Sequence, residues 1–466
     1  MIDVRRGIMK NRYVVVLAAG QGTRMKSKLF KVMHPVMGRP MVGHVVKAAL
    51  DADATEVITI TGHGADTIKD YLGERSEYVF QEEQLGTAHA VMQAKDILEN
   101  KEGTTLVLSG DTPLLQSETL NELMAFHENE GAKATILTAF AEDPFGYGRV
   151  IRDEDGSVSK VVEEKDASAD ERAVQEINTG TYCFDNKALF EALNKVDNDN
   201  VQGEYYLPDV LEILKSENEK VGAFQLNDMN EALGVNNRVA LAQATDIMRN
   251  RINEMHMING VTLVDPTSTY IEADVEIARD TVIEPNTYIK GRTTIGEDVF
   301  VGLGSVITDS QIADGVVIRQ SVIEESVVGK NSDIGPYGHL RAETVLGKNV
   351  HIGNYVEVKK STLGDDTKAG HHAYIGDAEI GKDVNVGCGV IFANYNGKNK
   401  FESVVGDHSF IGSNVTLVAP ITLGKNSFTA AGSTITDEVP ENALGIARAR
   451  QENKPEFYTR FFKDEE

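Results

Sequence analysis

The chain has 466 residues, more than a single hydrophobic core normally serves, and its 41% hydrophobic and 25% charged content is ordinary for a globular protein in water. A formal charge of −26 argues against non-specific nucleic-acid binding but allows anionic small substrates, held by a few placed Lys and Arg side chains. No apolar run of about 18 residues predicts a membrane span, and the two cysteines, Cys183 and Cys388, predict neither a disulfide framework nor a metal cluster, which suits a reducing, cytoplasmic setting.

Met1–Arg12 is basic and leads into a strand, with an apolar run too short for a secretion signal. Met9 is a second candidate start. Residues 13–225 alternate between strand and helix patterns. Strands are predicted at Tyr13–Leu17, Glu56–Thr61, Thr105–Ser109, Lys133–Ala139 and Val221–Leu226, and helices at Met41–Ala52, Ala65–Leu72, Thr87–Asn100 and Ser117–Glu130. That alternation predicts an α/β, Rossmann-like domain with a mostly parallel sheet, whose ligands bind beyond the carboxyl ends of the strands.

The first strand runs into Leu17-Ala18-Ala19-Gly20-Gln21-Gly22-Thr23-Arg24, followed by Lys31. Small residues after a strand let backbone N–H groups approach a phosphate, and the two cations can neutralise it. The run is neither a dinucleotide fingerprint, since Met25 stands at the third glycine, nor a Walker A loop. Further along come Gln81 with Gln84-Leu85-Gly86-Thr87, Ser109-Gly110-Asp111, Tyr147-Gly148-Arg149, Glu163, Ile177-Asn178-Thr179-Gly180 and Val235-Asn236-Asn237-Arg238. Singly, each has a bland explanation: Asp111 as a turn former, Asn178 or Asn236 as a helix cap, Lys31 as a solvated lysine.

In this order the segments resemble the signature of sugar-nucleotide pyrophosphorylases. The resemblance implies a nucleotide site at Leu17, Ala18, Ala19, Gly20, Arg24, Lys31, Gln81, Gly86 and Thr87. It implies a sugar site at Gly148, Glu163, Asn178 and Asn236, with Mg²⁺ on Asp111 and Asn236. The implied reaction is attack of a sugar 1-phosphate oxygen on the α-phosphorus of UTP with loss of pyrophosphate, catalysed by positioning and charge neutralisation.

A long helix is predicted over Val235–Asn259, stopped near Gly260. These signals divide the chain into 1–234, a linker helix 235–260, and 261–466. From Val328 an aliphatic residue recurs every sixth position: Ile334, Leu340, Leu346, Ile352, Val358. Glycine follows four of these, at Gly329, Gly335, Gly347 and Gly353. A period of 6 fits neither helix nor alternating strand and predicts a three-sided hexapeptide β-helix, with glycines expected to turn the corners at positive φ. The inward positions continue as Leu363, Ala369, Ile375, Ile380 and Val386, with five-residue steps at Val358–Leu363 and Ile375–Ile380. The register lapses from Ala393 to Ser403, then resumes at Val405, Ile411, Leu417, Leu423, Thr429 and Ile435; upstream it appears at Ile277, Ile283, Ile289, Ile295 and Val301. Val264–Asp437 is long enough for about nine or ten coils. Gln451–Glu466, with Phe457, Tyr458, Phe461 and Phe462, is expected to pack on a neighbour or stay partly disordered.

Packing of the coil does not need Arg341, Lys359, Lys360, His371, His372, Tyr374, Asn385 or the loop Asn394-Tyr395-Asn396-Gly397. With the preceding half, these residues resemble the bacterial bifunctional N-acetylglucosamine-1-phosphate uridyltransferase/glucosamine-1-phosphate acetyltransferase family over essentially residues 12–450. That resemblance implies a left-handed coil and His371 as the base that takes a proton from the amine of glucosamine 1-phosphate during attack on acetyl-CoA, a task suited to a side chain that titrates near neutral pH. It implies Arg341, Lys359, Tyr374 and Asn385 on the sugar phosphate, and Cys388, Asn394, Tyr395, Ser413, Ala431 and Arg448 along acetyl-CoA. The product N-acetylglucosamine 1-phosphate would pass to the first half, yielding UDP-N-acetylglucosamine for cell-wall synthesis, in a homotrimer. Cys388 replaces a frequent alanine of the family and Phe30 a frequent proline. Two other readings remain at the sequence level: a one-reaction sugar-1-phosphate nucleotidyltransferase with a structural or regulatory β-helix, and a non-enzymatic nucleotide-sensing scaffold.

Overall fold

The computed structural model describes residues 11–462 and falls into two units that meet in the chain at Arg249 and Asn250. The proposed start at Met9 and the last four tail residues lie outside the described residues.

In the first unit the run Val14–Val16 is fully buried, so the strand Arg12–Ala18 is covered on both faces. It pairs in parallel with Glu56–Thr61 on one side and Thr104–Ser109 on the other. The sheet order runs Val221–Gln225, Ala134–Phe140, Glu176–Asp185, Thr104–Ser109, Arg12–Ala18, Glu56–Thr61, Glu77–Phe80. Two apolar layers flank it, one built around Val15, Ile58 and Tyr182, the other around Val14, Val16 and Leu106. Helices form at Met41–Asp51, Ala65–Leu72 and Ser117–Glu130. The helix predicted over Thr87–Asn100 is two pieces, Thr87–Met92 and Lys95–Leu98, because Ala94 leaves helical geometry at φ −80°, ψ 1°.

Glu176–Asp185 runs antiparallel to both neighbours and has no counterpart among the predicted strands. Its sequence EINTGTYCFD hides the strand, because Gly180 breaks the alternation. At that glycine φ is +79°, and the register to Ala134–Phe140 shifts between Asn178 and Tyr182. Asn178 is therefore a strand residue, not a helix cap. It also pairs with Gly148 of a short ribbon formed by Gly148–Arg152 and Val158–Val162.

The helix Arg238–Ile258 begins three residues later than predicted. Asn237 caps it, its Oδ1 accepting from the N–H groups of Val239 at 3.0 Å and Ala240 at 2.9 Å. That leaves the neighbouring Asn236 amide free for other work.

In the second unit, strands of mostly two or three residues form one continuous 26-stranded sheet, most pairing in parallel with the strand three further on, and the two 13-residue ladders pairing with each other. Three strands per turn make a three-sided prism of about nine coils. The aliphatic series from Ile283 to Ile435 faces inward and is buried, while Ile277 in the first coil is only partly buried. The two five-residue steps fall in the long ladders His351–Leu363 and Lys368–Ile380, which still turn at Tyr355, Lys360, His372 and Asp377, all at positive φ.

The corner glycines act differently from the sequence expectation. Of Gly329, Gly335, Gly347 and Gly353, only Gly335 has positive φ. The left-handed position is taken two residues after each glycine, by Asn331, Tyr337, Asn349 and Tyr355, and asparagine tolerates it best among side-chain-bearing residues. The glycines are needed because the next coil passes close. A Cβ on Gly353 would sit 1.8 Å from the Gly370 carbonyl oxygen, and one on Gly329 would sit 2.3 Å from that of Gly347. Gly353→Ala is expected to destabilise this unit by roughly 3 kcal/mol or more, since both obstacles are backbone. A fall in the melting transition of this unit checks it; an unchanged transition contradicts the packing argument.

Candidate functional sites

The carboxyl ends of Arg12–Ala18 and Thr104–Ser109 open onto a cavity of about 320 Å³, lined by Leu17, Ala19, Gly20, Lys31, Gln81, Gln84, Gly86, Thr87, Ser109 and Asp111 among others. Ala18, buried at the end of the strand, supports this rim without lining it. A Cβ on Gly20 would meet nothing within 4 Å, so the backbone there is approachable. Gly22 lies at φ +64°, and its missing Cβ makes room for Lys31, whose own Cβ would be 2.3 Å away. Phe30 packs over the backbone of Gly64, where an added Cβ would meet its ring at 2.2 Å. The ring thus helps fix the loop that carries Lys31. Gly86 is held at φ +116° against the Tyr205 backbone. Gln84 Nε2 donates to the Ala19 carbonyl at 2.6 Å, and Gln81 Nε2 lies 3.0 Å from His89 Nδ1.

Four charged or polar groups meet at one point. The Lys31 ammonium bonds the Asp111 carboxylate and, at 2.6 Å, Asn236 Oδ1. Arg24 Nη2 reaches the same Oδ1 at 2.8 Å. The Val235 N–H donates to the Asp111 carbonyl at 2.9 Å, which brings Asn236 beside Asp111 from far along the chain. The bland readings of Lys31 and Asn236 therefore fail: the lysine is mostly buried and paired, and Asn237 does the capping. Asp111 and Asn236 turn two oxygen donors toward a single cation position, here filled by the ammonium. Two donors with room for phosphate oxygens match a hard, octahedral cation such as Mg²⁺ better than a protein-only cage, and no cluster of three or more His, Cys, Asp or Glu ligands occurs among the described residues.

Beside this point lies a second group. A Cβ on Gly148 would be 3.2 Å from Glu163 Oε1 and 3.3 Å from Asn178 Cβ, so the three residues share one corner. Burial, with Asp166 and Glu204 nearby, raises the Glu163 pKa above the usual carboxylate range, against the pull of Arg149.

On the prism, coil stacking decides which side chains meet. His371 pairs with Asn354 one coil before it. Its imidazole points outward and is exposed, with Nδ1 3.1 Å from Asn354 Oδ1. With that oxygen accepting, Nδ1 carries the proton and Nε2 presents its lone pair. Cys388, Ser413 and Ala431 occupy the same corner in successive coils, as the bonds from Asn414 N–H to the Cys388 carbonyl at 2.7 Å and from Gly432 N–H to the Ser413 carbonyl at 2.8 Å require. All three are exposed. Residues predicted separately thus form one column with His371. Arg448 is exposed beyond the last strand, Leu444–Gly445.

The next corner carries cations. Arg341 Nη1 bonds Glu357 Oε1 at 2.8 Å. Lys359 is held below the usual lysine range, first by Lys400 bonded beside it and then by burial. Asn394 bonds the Asp377 carboxylate and approaches the Tyr374 hydroxyl at 3.4 Å. The Tyr395 hydroxyl closes its own loop on the Gly397 carbonyl at 2.6 Å. Asn385 sits half-buried on the face that leads to His371. Sequence reasoning missed Asn354, Glu357, Asp377 and Lys400. Three of them were within reach: Asn354 lies one coil below His371 and Glu357 one coil below Tyr374, and Asp377 stands under Asn394, which bonds it.

The chain matches the family described as Nucleotidyl transferase over residues 13–250, the GMPPB C-terminal domain over 266–354, and the bacterial transferase hexapeptide (six repeats) over 402–437. The "Bifunctional protein GlmU" of Enterococcus faecalis is 60% identical over 446 residues, 96% of this chain and 97% of the relative. Proteins of the same description from Listeria welshimeri and a Geobacillus species are 58% and 57% identical over 452 residues, 97% of this chain in each case and 99% and 98% of the relatives. The chain belongs to the GlmU family. A nucleotidyltransferase unit followed by a hexapeptide β-helix is the architecture of a GlmU chain, and the parallel pairing across three faces is consistent with the left-handed coil. No helix among the described residues is long and apolar enough to cross a membrane.

Asn354→Ala is expected to slow any chemistry that uses the His371 imidazole by about tenfold, the scale of one lost hydrogen bond. Transfer rates measured for each unit separately check it: equal losses in both units would mean a folding defect.

Proposed function

We propose that the chain makes UDP-N-acetylglucosamine in two steps: acetylation of glucosamine 1-phosphate in the β-helix, then uridylyl transfer in the α/β unit. The domains that carry them are 1–234 and 261–466, joined by 235–260. The observation that carries the reading is the coexistence of two separate constellations in one chain: Asp111, Asn236, Lys31 and Arg24 at a strand end, and His371 at the head of an exposed column beside paired cations.

In acetyl transfer, Arg341, Lys359 and Lys400 hold the sugar phosphate, with Tyr374 and Asn385 orienting the ring. Acetyl-CoA lies along Cys388, Ser413 and Ala431, reaching Asn394, Tyr395 and Arg448. The amine nitrogen attacks the thioester carbon, His371 Nε2 takes the ammonium proton, and the C–S bond breaks to release CoA. Free CoA formed from glucosamine 1-phosphate separates this reading from that of a nucleotidyltransferase with a passive solenoid.

In uridylyl transfer, Leu17–Gly20, Gln81, Gly86 and Thr87 bind UTP, and Gly148, Glu163 and Asn178 bind the sugar. Mg²⁺ held by Asp111 and Asn236 would supply charge neutralisation across the phosphates. Lys31 then moves from its ion pair to the phosphate, and Arg24 joins it as the α-phosphorus exchanges pyrophosphate for the sugar phosphate oxygen. The protein is a cytoplasmic homotrimer in this reading, checked by sedimentation. The deciding experiment supplies glucosamine 1-phosphate, acetyl-CoA, UTP and Mg²⁺, and in parallel N-acetylglucosamine 1-phosphate, UTP and Mg²⁺, and identifies every product of both mixtures. CoA, pyrophosphate and UDP-N-acetylglucosamine together support the proposal, pyrophosphate without CoA reduces it to one reaction, and neither product leaves a non-catalytic scaffold.

A further inference from the structure

Tyr182 is 2% exposed, and its hydroxyl makes no hydrogen bond of full geometry, only a marginal one with the Asn178 side chain. A buried phenol normally makes a full one. The ring itself is well explained: it stacks on Phe184 at 5.7 Å and belongs to the apolar layer with Val161, Leu207 and Val210. The hydroxyl is not explained by that packing. Phenylalanine would fill the same space without burying a poorly satisfied group.

The strand geometry shows where the hydroxyl belongs. Tyr182 and Asn178 sit on either side of the irregularity at Gly180. Within it, Gly180 N–H donates to Asn178 Oδ1 at 2.8 Å. That bond fixes the amide so that its NH₂ points away from the backbone. Asn178 in turn shares its corner with Gly148 and Glu163. The polar groups acting on the phenol are the Glu163 carboxylate, the Asn178 amide and the Asp209 carboxylate. A hydroxyl can accept one bond and donate another, so it suits a place between an NH₂ and a carboxylate.

We infer that Tyr182 is a positioning residue for the sugar corner of the α/β unit: its oxygen accepts from the Asn178 amide nitrogen and its hydrogen is donated to the Glu163 carboxylate when the sugar phosphate is bound. The inference rests on the proposed role of Gly148, Glu163 and Asn178 in holding that sugar. In the structure without ligand the Asn178 contact is marginal and the phenol hydrogen has no acceptor. Occupancy by the sugar closes the relay, so the residue adds to sugar affinity without touching the sugar.

Tyr182→Phe tests it, with Asn178→Ala as comparator. The acetyl transfer of the same chain reports on folding, and thermal melting reports on packing. The expected result for Tyr182→Phe is a rise in KM for N-acetylglucosamine 1-phosphate of about five- to tenfold, the scale of a lost buried hydrogen bond. KM for UTP stays constant, kcat falls less than KM rises, and the melting temperature holds or increases. An unchanged sugar KM in Tyr182→Phe, while Asn178→Ala raises it, overturns the role of Tyr182 and leaves the sugar corner standing. Parallel rises in both KM values, or loss of acetyl transfer, make Tyr182 a packing residue and overturn the inference too. An unchanged sugar KM in Asn178→Ala removes the corner itself, and the inference with it.

Discussion

His371→Ala lowers acetyl transfer by about 10²–10⁴-fold, the usual contribution of a positioned general base, and leaves uridylyl transfer at its original rate. The expectation follows from placement. The imidazole stands outside the prism, so its removal opens no cavity in the stacked core. The inward positions on either side, Ala369 and Ile375, are untouched and fully buried. The neighbouring His372 requires a separate control, because it could supply a substitute base. It turns the corner at φ +37°, so alanine there would add backbone strain. His372→Asn is the better choice, since asparagine tolerates that region, and it should leave acetyl transfer within a few-fold. If His371→Ala keeps most of its acetyl transfer, the base lies elsewhere. If both reactions fall, the substitution has disturbed folding.

Asp111→Ala has the reverse effect: uridylyl transfer falls by about 10²-fold or more, as expected when charge stabilisation at a phosphate is removed, and acetyl transfer persists. Without the carboxylate, the Lys31 ammonium loses its ion pair and one of the two oxygen donors at the cation position disappears. Asp111→Asn sharpens the test by keeping a donor oxygen and removing the charge. Its uridylyl rate should require much higher Mg²⁺. A rate with unaltered Mg²⁺ dependence in either variant would remove Asp111 as a ligand.

How much of this was legible depended on the distance over which each signal acts. The six-residue period was plain because each inward aliphatic is specified within its own coil, and the buried series from Ile283 to Ile435 follows it. The strand-end motif was plain for the same reason: Gly20, Gly22 and Arg24 lie within one turn of chain. The glycine corners were misassigned because the obstacle to a Cβ belongs to the following coil, as the Gly370 carbonyl above Gly353 illustrates. Lys400 stayed hidden because it lies in the loop between Ala393 and Ser403, outside the repeat, and its partner Lys359 is far away in sequence, whereas Asn354 could have been found from the coil register that sets it under His371. The strand Glu176–Asp185 was missed because the irregularity that aims Asn178 also erases the period of two.

The column of Asn354, His371, Cys388, Ser413 and Ala431 is also a ruler. Adjacent coils are spaced by one strand separation, about 4.8 Å, so the three steps from His371 to Ala431 span about 14 Å. A long flexible molecule laid along that edge is measured in fixed graduations. Excising one whole coil between His371 and Ala431 would shift the far end of the molecule by a single graduation while every surviving step kept its local geometry.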